Sequence, residues 1–142
     1  MSAPQDKIAE LRVKQLEMVQ AIIARIAGYG AEIKNWCITV TTAVCGFSVT
    51  VQKPVVVLLA LLPIVTFAFL DAQYLRVERQ FRNTFDQFSR EKWDVLPSFD
   101  LGHNAGSKIP LVAVLFSWSI VSFYIPLVLG VAVVMFVETF AY

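Results

Sequence analysis

VQKPVVVLLALLPIVTFAFLDAQYLRVERQFR, Val51 to Arg82, decides the fold class. From Pro54 to Leu70 no residue carries a charge, and from Asp71 onward charges recur every few positions. Seventeen residues, all apolar but Thr66, nearly match the bilayer's hydrocarbon thickness, and no helix breaker separates them from the polar part. The stretch therefore reads as a membrane-spanning helix that continues into water. Pro54 suits the first turn of a new helix and disfavours helical geometry at Lys53, so VQKP reads as a tight turn. Pro63 removes one backbone hydrogen bond and predicts a kink inside the span.

Working outward, the composition agrees. The chain has 142 residues, 57% of them hydrophobic and 16% charged, well above the apolar share of an ordinary soluble domain. The expected class is an all-α integral membrane bundle. A net charge of +1 gives no bulk attraction to nucleic acid, so any anion site must come from local clustering of Arg and Lys. The start, MSAPQDKIAELRVK, lacks the apolar core of a secretory signal, so targeting is expected from internal segments.

Upstream of the turn, residues 1–30 predict an N-terminal amphipathic cytoplasmic helix, with Leu16, Val19, Ile23 and Ile26 at helical spacing. Gly28 and Gly30 predict a bend. Residues 31–70 then form a transmembrane hairpin, with Lys34 and Trp36 at the headgroups. Cys37 and Cys45 read as small buried hydrophobes. Downstream, residues 71–108 form a cytoplasmic arginine/aromatic helix, with Tyr74, Phe81, Phe85 and Phe88 on one face. Pro97 and HNAGSK, His103 to Lys108, end it as a loop. Residues 109–142 read as an interfacial helix to Ile120 and a last span from about Val121 to Phe140, with Trp118, Tyr124 and Tyr142 as interfacial anchors. The alternative is a fourth span created by a break at Pro126.

Charge placement orients the chain. Lys7, Arg12, Lys14, Arg25 and Lys34 precede Trp36, and Arg76, Arg79, Arg82, Arg90, Lys92 and Lys108 follow Asp71, whereas the hairpin turn has only Lys53 and nothing basic follows Lys108. Positive residues stay inside. The N-terminus and central segment are thus expected in the cytoplasm and the C-terminus outside, which favours three spans.

Two constellations could carry function. Thr39, Thr42, Gly46 and Thr50 share one face of the first span; such a face serves close helix packing or lines a water-filled path. Arg76, Arg79, Arg82 and Asn83 form the other. Glu78 and Asp86 stand four residues either side of Arg82 and neutralise part of its charge, while Arg76 and Arg79 have no acidic partner at that spacing. Forked guanidinium donors suit phosphate, either of lipid headgroups or of a soluble nucleotide. Enzyme chemistry is not expected: His103 is the single histidine, no second ligand lies at metal spacing, and no Gly-rich phosphate loop appears. Neither a metal nor a cofactor is expected.

LDAQYLRVERQFR, Leu70 to Arg82, resembles the signature Leu-Asp-Ala-x-Tyr-Leu-Arg-x-Glu-Arg-x-Phe-Arg of a family of small bacterial membrane proteins. NWCITV, Asn35 to Val40, and SFYIPL, Ser122 to Leu127, extend the likeness. The family's following Tyr-Asp pair is Phe85-Asp86 here. The resemblance implies a membrane effector of anti-phage defence of the Hailong type. It would be a homo-oligomeric channel, favouring a tetramer, in the bacterial inner membrane. A nucleotide or short single-stranded oligonucleotide would control it, and a nucleotidyltransferase would be its partner. The alternative is a non-conducting membrane anchor that recruits a soluble partner through the same cytoplasmic helices.

Overall fold

The computed structural model describes residues 3–92, 96–97 and 109–141. Among these the chain is all-helical: α1 is Ala3–Val51, α2 is Leu61–Arg90, α3 is Leu111–Leu115 and α4 is Trp118–Ala141, with a 3-10 segment, Pro54–Ala60, leading into α2. Side-chain contacts give the directions. Arg12 meets Glu91, Tyr29 meets Tyr74 and Lys34 meets Asp71, so α1 and α2 run antiparallel. Lys34 also lies over Phe123 and Ser48 meets Glu138, so α4 runs parallel to α1. The apolar half is a three-helix bundle, and the polar half is a two-helix stalk.

α1 continues unbroken through Gly28 and Gly30, so the expected bend does not form. Two interior glycines cost about 1 kcal/mol each relative to alanine. Packing offsets them: Tyr29 stacks on Tyr74 with ring centroids 5.8 Å apart, and Gly30 lies against Asp71. At 49 residues the helix is about 73 Å long at 1.5 Å per residue. On its stalk half Val19 is buried, with Leu16, Ile23 and Ile26 half-buried, but Arg12 and Gln15 are buried too. Arg12 reaches across to α2's end, bonding Glu91 Oε2 at 2.6 Å and the Lys92 carbonyl at 3.2 Å. Outside, Glu10 and Lys14 pair at 2.8 Å; the shared hydrogen bond holds the Glu10 carboxyl below its ordinary range and the Lys14 ammonium above it.

At the far end Gln52 takes a left-handed φ of 56° and the Lys53 N–H returns to the Ser48 carbonyl at 3.4 Å, a Schellman turn. Pro54 opens the next element, as expected. Pro63 does not kink a span. It lies in the first turn of α2, where its missing N–H matters little, and the departure from α geometry is the 3-10 segment before it. Phe88, the last of the aromatic face, is buried, Phe81 and Phe85 are half-buried, and Tyr74 is exposed.

Pro97 is buried, while HNAGSK lies outside the described residues. The interfacial helix is shorter than expected: α3 ends at Leu115, and a turn at Phe116 and Ser117 precedes α4. The Ser117 carbonyl accepts from the Ile120 and Val121 N–H groups. α4 passes Pro126 without a break, so the chain does not reverse there. Trp118 is 85% exposed, but Tyr124 is packed inside and is no interfacial anchor; Tyr142 is outside the described residues.

Two stretches among the described residues are long and apolar enough to cross a membrane, Pro54–Arg90 and Trp118–Ala141, with best-window mean hydropathies of 2.5 and 2.6. Only 28% and 17% of those windows are buried within the protein. The apolar half of α1 is less apolar, since Lys34 and Asn35 bound it and it carries Thr39, Thr41, Thr42, Ser48 and Thr50.

Candidate functional site

The threonine face is exposed along its whole length: Thr39, Thr42, Gly46 and Thr50 all lie at the protomer surface. Thr39 and Thr50 satisfy their hydroxyls locally, donating to the carbonyls of Asn35 at 2.9 Å and Gly46 at 3.0 Å. The residues α1 turns inward are Cys37, Thr41, Val44 and Ser48. At 100° per residue the two sets stand on opposite sides of the helix. A cavity of about 280 Å³ reaches Thr42 from beside Pro126 and Gly130 of α4. Both cysteines are free thiols, Cys37 buried and Cys45 half-buried.

The four phosphate-type residues are not gathered into one pocket. Arg82 faces α1, where with Gln20, Ala24, Ala27, Phe85 and Asp86 it lines a groove of about 480 Å³. It is also shared with Glu78, at 2.7 Å from Nη2 and 2.8 Å from Nε. Asn83 belongs instead to a shallow depression with Asp86, Gln87 and Arg90. Arg76 and Arg79 are half-buried and form no ion pair with a described carboxylate; Arg76 Nε is buried without a hydrogen-bond partner. One turn apart, these two are the cations of the set that intramolecular pairing leaves available.

Below them lies a node that binds all three long helices. Lys34 Nζ approaches Asp71 Oδ2 to 2.6 Å, with the side chains 23% and 4% exposed. The contact is an ion pair across the α1–α2 seam. Phe123 of α4 lies 5.8 Å from the same ammonium, and Tyr124, also buried, stands beside Asp71 and Cys37. A cavity of about 240 Å³ adjoins the pair; its lining includes Gly30, Tyr74, Glu78 and Ser119. At the opposite end of the bundle Glu138 is 4% exposed and meets Ser48 Oγ at 2.8 Å.

Sequence reasoning placed Lys34 at the headgroups and Tyr124 at the interface, and gave Asp71, Ser48 and Glu138 no role. The available signal was an isolated charge at a helical stripe: Lys34 precedes Cys37, Thr41, Val44 and Ser48 on one face, and Asp71 and Glu138 are single carboxylates at the margins of apolar runs. Charged residues inside apolar segments usually face a partner. Among the described residues no group of three or more His, Cys, Asp or Glu could hold a metal ion. No protein-family model, curated protein or solved structure matches the chain.

Proposed function

We propose that the chain is a protomer of an oligomeric membrane pore, an effector of bacterial anti-phage defence controlled by a nucleotide or short oligonucleotide at its cytoplasmic helices. One observation carries the assembly. In an apolar segment the protomer uses one side of α1 for its own packing and leaves the Thr39, Thr42, Gly46 and Thr50 side exposed. Lipid gains nothing from threonine hydroxyls, whereas a second copy can approach a small-residue face closely or share a wetted path along it. The defence role, the tetramer and the nucleotidyltransferase partner rest on the likeness of Leu70 to Arg82 alone.

In this reading the apolar half of α1 is a third span, its N-terminal part is an amphipathic cytoplasmic helix, and the C-terminus is outside. Arg76 and Arg79 supply the phosphate contacts, with Arg82 and Asn83 at the edge. Arginine offers a planar fork that lysine lacks, so Lys at position 79 should retain part of the binding and Glu none. Binding weakens with salt, as exposed charges are screened over about 8 Å at physiological ionic strength.

The test has two arms. In nanodiscs free of anionic lipid, a short single-stranded oligonucleotide should bind wild type saturably and Arg79→Glu not at all; equal affinity removes these arginines from the site. In ion-loaded liposomes wild type should leak in a ligand-dependent way. Intact liposomes under every ligand condition, with a monomer in detergent, would favour the non-conducting anchor.

A further inference from the structure

We infer that the buried cluster of Glu138, the Ser48 hydroxyl and the Lys53 carbonyl, at the far end of the bundle from the arginines, is a binding site for one monovalent alkali-metal cation. The site does not depend on the pore reading.

Hydrogen counting comes first. Ser48 Oγ stands 2.8 Å from Glu138 Oε2 and 2.9 Å from the Lys53 carbonyl oxygen. A hydroxyl carries one proton, so it can bridge only one of these contacts. With the carboxyl as carboxylate, the other presses two acceptors together with no hydrogen between them. Glu138 Oε1 is buried and has no partner at all. Cluster and orphan oxygen together lack positive charge.

The backbone deepens that deficit. α1 ends at Val51 and α4 at Ala141, and neither has a basic residue in its last turn. Helix C-termini carry partial negative charge and are usually matched by Lys or Arg there. Here a carboxylate is set against the last turn of α1 through Ser48. Among the described residues no Lys or Arg pairs with Glu138, and the nearby Lys53 side chain is exposed.

The donor set selects the ion. Carboxylate, hydroxyl and carbonyl oxygens are hard ligands suited to alkali and alkaline-earth cations. Calcium takes 6–8 oxygens and magnesium keeps an octahedral shell, usually with more than one carboxylate or phosphate. One carboxylate balances one positive charge. The Schellman turn at Gln52 and Lys53 brings the carbonyl back over Ser48, so two of the three ligands are fixed by the turn and the third by α4.

Thermal unfolding in neutral detergent tests the site, with sodium chloride replacing choline chloride at constant ionic strength and pH. Wild type should gain several degrees in Tm, saturably, as a ligand that binds only the folded state requires. Glu138→Gln, isosteric and uncharged, should lose the sodium response. Ser48→Ala, which keeps the carboxylate, should raise the half-saturating sodium concentration roughly tenfold, the scale on which lost support to a bound metal acts. A wild-type Tm equal in sodium and choline overturns the site, as does a sodium response that persists in Glu138→Gln. A Tm that responds to acidification alone would put a proton among these oxygens and overturns the metal site too.

Discussion

Replacing Lys34 with Met should destabilise the folded chain by about 3 kcal/mol. The partner left behind is Asp71, whose side chain is 4% exposed and sits on a helix that holds it in place. An uncompensated buried charge costs about 3–5 kcal/mol, and the adjoining cavity, with room for water beside Asp71, sets the value at the low end. The converse change is milder. With Asp71→Asn the Lys34 ammonium, already 23% exposed, can swing its flexible stem outward, and the loss should be about 1 kcal/mol. Lys34→Met combined with Asp71→Asn should cost little more than Asp71→Asn alone, a coupling of about 3 kcal/mol, at the upper end of the range seen for residues in contact. By comparison Arg82→Ala breaks a pair whose arginine side chain is 60% exposed and should cost about 0.3–0.5 kcal/mol. The assay is reversible unfolding in mixed micelles, followed by far-UV circular dichroism and tryptophan fluorescence. A Lys34→Met cost below about 1 kcal/mol, or a larger cost for Asp71→Asn than for Lys34→Met, would refute the asymmetry argued from these exposures.

Gly46→Leu should weaken assembly without unfolding the protomer, since a Cβ there meets nothing within 4 Å; an unchanged oligomer distribution by native mass measurement would make the threonine face incidental. Gln52→Gly should stabilise the hairpin by about 1 kcal/mol, because a side chain at a left-handed C-terminal position costs what glycine avoids. An unchanged or lowered denaturation midpoint counts against the turn at φ 56°. A single cysteine placed after Phe140, in a background without Cys37 and Cys45, should label only from outside the cell; labelling only from the cytoplasm contradicts the charge-based orientation.

What the sequence made legible was the helix class, the turn at VQKP and the continuation of the second helix past Leu70, each set by local chemistry. The bend at Gly28 and Gly30 was misjudged because propensity counts the cost of glycine and cannot count the contact of Tyr29 with Tyr74 across the stalk. Pro63 was misjudged because its effect depends on where the α-helix starts, and the 3-10 segment moved that start to Leu61. The Lys34–Asp71 and Ser48–Glu138 contacts join residues far apart in the chain. Only the packing of three helices in register reveals them.

The same packing explains why periodicity failed to find the inner face of the apolar half. In water the hydrophobic effect would turn the largest apolar side chains inward. Here they point out: Leu62 is 67% exposed, Val65 68%, Phe136 64% and Phe140 74%. The inner positions mix the small or polar Cys37, Thr41, Ser48, Ala60 and Ala72 with Val57, Ile64, Ile120 and Val131. Lipid tails solvate Leu and Phe as well as a protein core does, so helices in that solvent associate through small residues that permit close approach and through polar contacts. An inverted pattern of this kind fits a bilayer and poorly fits a soluble bundle, which would expose a large apolar surface to water. It also gives the buried charges their part in specifying the fold. With no hydrophobic gain separating one rotation of α1 from another, the Lys34–Asp71 pair and the Ser48–Glu138 contact fix which side of α1 faces its own bundle. The opposite side, Thr39 to Thr50, is then the one left for whatever packs against the protomer.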